Sequence, residues 1–270
     1  MGSTDTLKLY SRILTKAKEL GASLVGIANV EDLKKAPSYT VTPMMPAYNG
    51  VGANKERIDN RKSGEVNWPQ GAKSVIVIAY AHPENKPELD YWYGSIDPTG
   101  NKKLIKVVQG LIEWLQNDHG IKAFHLPYHV ERGGIYLKDA AVFAGMGCIG
   151  KNNLLVTPEF GPRIRLRGLT LEIDLPSTGP TTFDPCAYCD EICNRSCPQD
   201  SFKEQVYTPG EFGRKELPGR SGDYDRLRCN IQMKIDEDTA VEQNVEDIEK
   251  AVRVVKYCRR CEFSCPVGKV

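Results

Sequence analysis

Eight of the nine cysteines fall in the last third of the chain, in two runs that each close on Cys-Pro. The first run is Cys186, Cys189, Cys193 and Cys197-Pro198; the second is Cys229, then Cys258, Cys261 and Cys265-Pro266. A cubane of four irons and four sulfides needs four soft thiolates. In the two-cluster pattern a tight loop supplies three of them, and the Cys-Pro of the other run supplies the fourth. The spacing predicts a crossed ligation. Cluster one takes Cys186, Cys189, Cys193 and Cys265, and cluster two takes Cys229, Cys258, Cys261 and Cys197. The three residues between Cys189 and Cys193 exceed the usual two by one, a bulge that a cluster loop tolerates. Two other chemistries compete. The pairs Cys186/Cys189 and Cys258/Cys261 could build one tetrahedral zinc site, which leaves the other four cysteines without a task. A disulfide framework belongs to small secreted chains, and this chain is longer, with its cysteines crowded at one end.

Composition bounds what carries this module. With 270 residues, 40% hydrophobic and 26% charged, the chain has room for one core and a smaller unit. A formal net charge of +1 makes nucleic acid and anionic membranes unlikely partners. No apolar run reaches the length of a membrane span, and the N-terminus has no export signal. A reducing cytoplasm is the expected location.

The elements that must position the cysteines can be read in order. Apolar residues from Leu7 to Leu20 recur at helical spacing and stop at Gly21; Ser23–Ala28 reads as a short strand. A poorly patterned excursion follows, of the kind that covers a pocket. Lys73–Tyr80 is β-branched and apolar on both faces, so it reads as a central strand. Asp90-Tyr91-Trp92-Tyr93 sits in a second loop, where core packing is the default for its aromatics. A helix is expected over 101–119, a strand over 122–127, a helix over 137–144, and a half-exposed strand over 163–173. Residues 199–228 read as turn-rich, and 243–257 as a helix leading back to the second cysteine run. Mixed element order favours an α+β layered sandwich, with a core over 1–175 and the cysteine module over 176–270.

Ala141-Val-Phe-Ala-Gly145-Met-Gly147-Cys148-Ile149-Gly150-Lys151, ahead of a double cysteine motif, resembles the epoxyqueuosine reductase family and its relatives the reductive dehalogenases. The resemblance runs from Trp68 to Pro266. It implies a nitroreductase-like core, a C-terminal ferredoxin-like module, two 4Fe-4S clusters and a cobalamin. Under it, Gly145, Gly147 and Gly150 clear a surface for the flat macrocycle. Lys151 and Asn152 then hold groups of the corrinoid tail, and Cys148 and Ile149 lie against the ring. The family's acid, an aspartate upstream of this motif, falls on Glu131, a residue able to serve as acid if burial raises its pKa. His129 and His125 are lesser candidates; His82 and His119 receive no role. Family members of full length continue into a helical-repeat domain, so a short form is expected.

The expected function is a cobalamin-dependent iron-sulfur oxidoreductase. A reduced ferredoxin or flavodoxin-type donor would supply electrons, and the substrate would be a small organic molecule or a corrinoid protein. The alternatives are a corrinoid carrier or reductive activase without substrate chemistry, and a plain two-cluster electron carrier.

Overall fold

The computed structural model describes residues 3–53, 62–245 and 248–269. The chain opens with α1 (Ser3–Glu19), whose Leu9, Ile13 and Ala17 are buried, and passes into β1 (Leu24–Asn29). Two short helices, α2 (Val30–Leu33) and α3 (Pro37–Val41), begin the long excursion. Next come β2 (Ser74–Ala81), β3 (Trp92–Tyr93) and the longest helix, α4 (Thr99–His119). Then follow β4 (Ala123–His125), α5 (Leu137–Phe143), β5 (Cys148–Ile149), β6 (Leu155–Val156) and β7 (Ile164–Leu171). The C-terminal part holds α6 (Ile192–Arg195), α7 (Pro209–Phe212), α8 (Arg226–Asp238), β8 (Val241–Gln243), β9 (Val252–Val255) and α9 (Arg260–Phe263).

The main sheet has the order β1-β2-β7-β4, and every pair in it is antiparallel. Its central strands explain the apolar run from Ser74. Alternate residues point to opposite faces, and both faces are covered. Ile76 and Ile78 join Leu9, Ile13, Leu104, Leu111 and Leu115 under α1 and α4. Val75, Val77 and Ala79 join Ala140, Ala141 and Ala144 of α5 on the other side. The result is three layers, helices on a sheet on helices. α4 ends where the sequence requires. Gly120 adopts φ +61° and its N–H reaches the carbonyls of Gln116 and Leu115, a left-handed cap that suits glycine.

One sequence expectation for the C-terminal part is corrected. The described residues of 243–257 do not form a helix. The β-branched run Val252-Arg-Val-Val255 forms β9, between β8 and β3 in a second sheet where Trp92 faces Val255. This small sheet takes one strand from before residue 175 and two from after it. The turn-rich stretch gives way to α8 at Arg226, started by the Asp225 side chain, which accepts the N–H groups of Leu227 and Arg228.

Candidate metal and reductive site

The structure sorts eight thiols into two groups. Cys193 has Cys265, Cys186 and Cys189 as its electrostatic neighbours, and Cys265 has Cys186 and Cys189. Cys261 has Cys229, Cys258 and Cys197, and Cys258 has Cys229 and Cys197. Each group draws one member from the other run's Cys-Pro. Burial pushes the Cys193 thiol up to about 11, and the thiols beside it push in the same direction. Cys258, Cys261 and Cys265 are raised too, with burial as the first cause. Crowded thiols that oppose one another's ionisation form a site that a bound cation relieves. Among the described residues, no three His, Cys, Asp or Glu side chains gather tightly enough for a single metal ion. Three members of the first group, Cys186, Cys193 and Cys265, are buried, whereas Cys258 of the second is exposed.

Arg163, just before β7, and Arg165 within it fasten the second cysteine run to the core. Arg163, 5% exposed, donates to the carbonyls of Glu262 (3.3 Å), Cys265 (3.2 Å) and Val267. Arg165 lies 2.9 Å from Asp90 and 3.1 Å from Glu262, and Arg259 lies 2.7 Å from Asp90 and also pairs with Glu262. His82 Nδ1 approaches Asp90 Oδ2 at 2.9 Å. Two guanidiniums thus balance two carboxylates at low exposure. His82, given no role from sequence, is 1% exposed and packs so closely on α4 that a Cβ at Gly100 would lie 2.2 Å from its ring.

The glycine motif packs closely against the rest of the chain. At Gly145, with φ +69°, a Cβ would lie 2.5 Å from the Thr178 carbonyl, and at Gly147 it would lie 2.0 Å from that of Val156. At Gly150 it would meet Val156 at 2.7 Å, Asn152 at 2.8 Å and the Cys186 sulfur at 3.4 Å. At each of these glycines a side chain would run into the protein itself. Lys151 pairs with Glu191 at 2.6 Å, and Asn152 donates to the Cys261 carbonyl at 3.3 Å. The Ile149 carbonyl accepts from Arg220 at 3.1 Å, and that guanidinium forks onto Asp184 at 2.9 and 2.7 Å. Cys148 Sγ lies 3.8 Å from Asp184 Oδ1, and the Cys186 thiol is lowered to about 6, with Cys148 beside it as the first cause. From Gly145 to Asn152 the motif is the seat of the first cysteine loop. Which atoms stand opposite a glycine is a tertiary fact, invisible to spacing.

A second group of polar and aromatic side chains lines the junction of α3, α5 and α8. Asp139, 4% exposed, accepts from Ser38 Oγ at 2.5 Å and Ser38 N at 3.3 Å, and its pKa is raised by burial. Beside it Lys138 donates to the carbonyl and side-chain oxygens of Asn153 at 2.7 and 3.0 Å; burial lowers it to about 8. Tyr39 stacks on Trp68 at 5.8 Å and meets Tyr136 edge-on at 5.0 Å. Arg226 bonds the Tyr224 hydroxyl at 3.2 Å and covers Tyr48 at 4.7 Å, and Cys229 is an electrostatic neighbour of Tyr224. This wall therefore reaches the second thiol group. Sequence reading missed it; the adjacent Lys138-Asp139 pair at the start of a short helix was its one signal. Glu131 stands in a half-buried 3-10 turn, Val130–Arg132, near the Tyr136 phenol. His129 packs edge-on against Tyr128, and His125 lies on β4 away from both thiol groups.

Fold and site together describe a mixed α/β scaffold with two thiol groups. No protein-family model matches the chain. It is similar to the epoxyqueuosine reductase of Lactococcus garvieae strain Lg2, with 25% identity over 97% of this chain and 70% of that one. It has the fold of an epoxyqueuosine reductase solved with a tRNA-Tyr epoxyqueuosine-modified stem loop: TM-score 0.61, 17% identity, covering 97% of this chain and 66% of the other. It also has the fold of a reductive dehalogenase whose structure suggested a mechanism for B12-dependent dehalogenation: TM-score 0.58, 17% identity, covering 96% of this chain and 32% of the other. The resemblance drawn from the sequence is thus upheld: the chain is similar to epoxyqueuosine reductases over most of its length and shares a fold with them and with reductive dehalogenases. Among the described residues no helix is long and apolar enough to cross a membrane.

Proposed function

We propose that the chain is a cobalamin-dependent iron-sulfur reductase. Cys186, Cys189, Cys193 and Cys265 would hold one 4Fe-4S cluster, and Cys197, Cys229, Cys258 and Cys261 the other. The observation that carries this reading is the sorting of eight thiols into two crossed groups of four. When bound, the clusters would relay single electrons from a ferredoxin or flavodoxin-type donor, and the corrinoid would supply the strongly reducing centre.

Beside the glycine motif Gly145–Lys151, a second proposed corrinoid seat is the wall formed by Tyr39, Tyr136, Lys138, Tyr224 and Arg226. Its flat aromatic faces and cations suit a large planar group with polar edges, and its contact with Cys229 brings one thiol group alongside. Asp139 and Glu131 are the carboxyl groups placed to hold a proton for substrate on this side, and Asp139 is the one whose burial favours the protonated form. The substrate class is a small organic molecule. The tRNA stem loop bound by the similar reductase adds a modified nucleoside in RNA as the second reading.

The test is anaerobic purification with cobalamin, followed by cobalt and iron analysis and by reduction assays with an organic halide and with a modified RNA stem loop. Retained cobalt with turnover of either substrate supports the proposal. Retained cobalt without turnover identifies a corrinoid carrier or activase, and iron without cobalt identifies a plain electron carrier.

A further inference from the structure

Arg167 lies in β7, two and four residues before Leu169 and Leu171, and shares with them the face that packs under α4. A Cβ at Gly168 would point the other way, toward Ile135 and Leu137. β4 pairs with β7 only from Leu169 to Leu171, so Arg167 and Gly168 have no strand beside them on that edge of the sheet. There Ile105 and Val108 of α4 meet His125, Leu126, Arg167 and Gly168 around a cleft of about 110 Å³.

The guanidinium of Arg167 is held in place without being neutralised. Its Nη2 donates to Asn101 Oδ1 at 3.0 Å, and its central carbon lies 4.0 Å from the centre of the Tyr128 ring. Asn101 donates in turn to Asp97 at 3.4 Å, so a neutral amide stands between the arginine and that carboxylate. Among the described residues no ion pair includes Arg167, and its buried Nε has no hydrogen-bond partner. Burial lowers the arginine's pKa, with Tyr128 and Asp97 opposing. An orphaned buried donor costs free energy that a bound acceptor recovers.

We propose that this cleft binds a small organic monocarboxylate, with its carboxylate on Arg167 and its short apolar body against Ile105, Val108 and Leu126. A guanidinium offers Nε and Nη in a planar fork that matches the two oxygens of a carboxylate. An apolar cavity of about 150 Å³ takes a benzene ring, so 110 Å³ suits a chain of about four carbons. One cation among aliphatic side chains favours an alkyl carboxylate over inorganic phosphate, which would leave the apolar wall uncovered. His125, exposed at the rim, adds a hydrogen-bonding edge for the same head group. α5, which carries Lys138 and Asp139, packs on the opposite face of the sheet. The cleft is therefore a separate site, and it does not depend on the proposed reductase chemistry.

The experiment is calorimetric titration of the full chain with butyrate, butyramide and inorganic phosphate, with Arg167→Met and Ile105→Trp beside the wild type. Butyrate is expected to saturate one site, and butyramide, of the same size without the charge, to bind about tenfold more weakly or less. Arg167→Met should lose butyrate affinity by a similar factor. Ile105→Trp, which fills the cleft and leaves the guanidinium in place, should lose it as well. Equal binding of butyrate and butyramide, undiminished butyrate binding in Arg167→Met, or phosphate bound as tightly as butyrate overturns the proposal. So does a wild type with no saturable butyrate binding. If Arg167→Met does not fold, Ile105→Trp and the butyramide comparison decide. Iron content is read on the same samples, so failure of the cleft is distinguishable from failure of the cluster reading.

Discussion

Arg259 and Asp90 meet at 2.7 Å, joining a residue beside two cysteines of the second run to a carboxylate in the loop after β2. Asp90 also receives Arg165 and His82, so a single carboxylate holds the cysteine module, the central strand and the buried histidine together.

Asp90→Asn is expected to destabilise the chain by about 3 kcal/mol, because two guanidiniums and a histidine lose their shared anion. Burial alone would raise the Asp90 carboxyl; the His82 hydrogen bond and the charges of Arg165, His82 and Arg259 outweigh it and hold the group below its ordinary value of 3.8. A carboxyl depressed on folding contributes stability fully above its ordinary value, and that stability is lost as pH falls through the folded value. Urea unfolding of wild type and variant should therefore show a gap that is constant near neutrality and narrows below pH 3.8. A gap independent of pH would remove the charge from the account.

Gly150→Ala separates the two roles assigned to the glycine motif. The added methyl would crowd Val156 and Asn152, at 2.7 and 2.8 Å, and press on the Cys186 sulfur. The expected result is a loss of about 1–3 kcal/mol together with reduced iron in cluster one. Normal stability and iron with weakened corrinoid binding would support the macrocycle role.

Lys138 has its pKa lowered from 10.5 to about 8, first by burial, with Asp139 opposing and Arg226 adding to the shift. Between those values the folded lysine is neutral while the unfolded one is charged, so this group makes stability rise with pH over that window; below it the burial penalty is present in full. Compared with Lys138→Met, the wild type should gain stability from pH 8 to pH 10.5. Parallel denaturation curves across that range would show that the lysine is not desolvated.

Cys265→Ser tests the crossing of the two runs. Cys265 is a neighbour of Cys186, Cys189 and Cys193, so the variant should lose cluster one and keep the spectrum of cluster two. Loss of the cluster that depends on Cys258 and Cys261 would mean that each run holds its own cluster.

Much of the architecture was legible because it is local. The apolar stripe of α4 and the two-sided apolar run of β2 appear where periodicity places them. The cysteine grouping was legible as well, because ligand spacing is a covalent pattern. The strand at Val252–Val255 was read as helix; it pairs with Val241–Gln243 nearby and with Trp92–Tyr93, remote in the chain, and the remote pairing leaves no local period. Asp90, His82 and Asp139 were passed over because their significance comes from what folding brings against them.

The most direct measurement is iron and zinc content of the anaerobically purified chain, with its visible spectrum taken on the same sample. Two crossed thiol quartets predict about eight irons per chain, no stoichiometric zinc and a broad charge-transfer band that bleaches on reduction. One zinc and no iron per chain would contradict the account and return the cysteines to a single tetrahedral site.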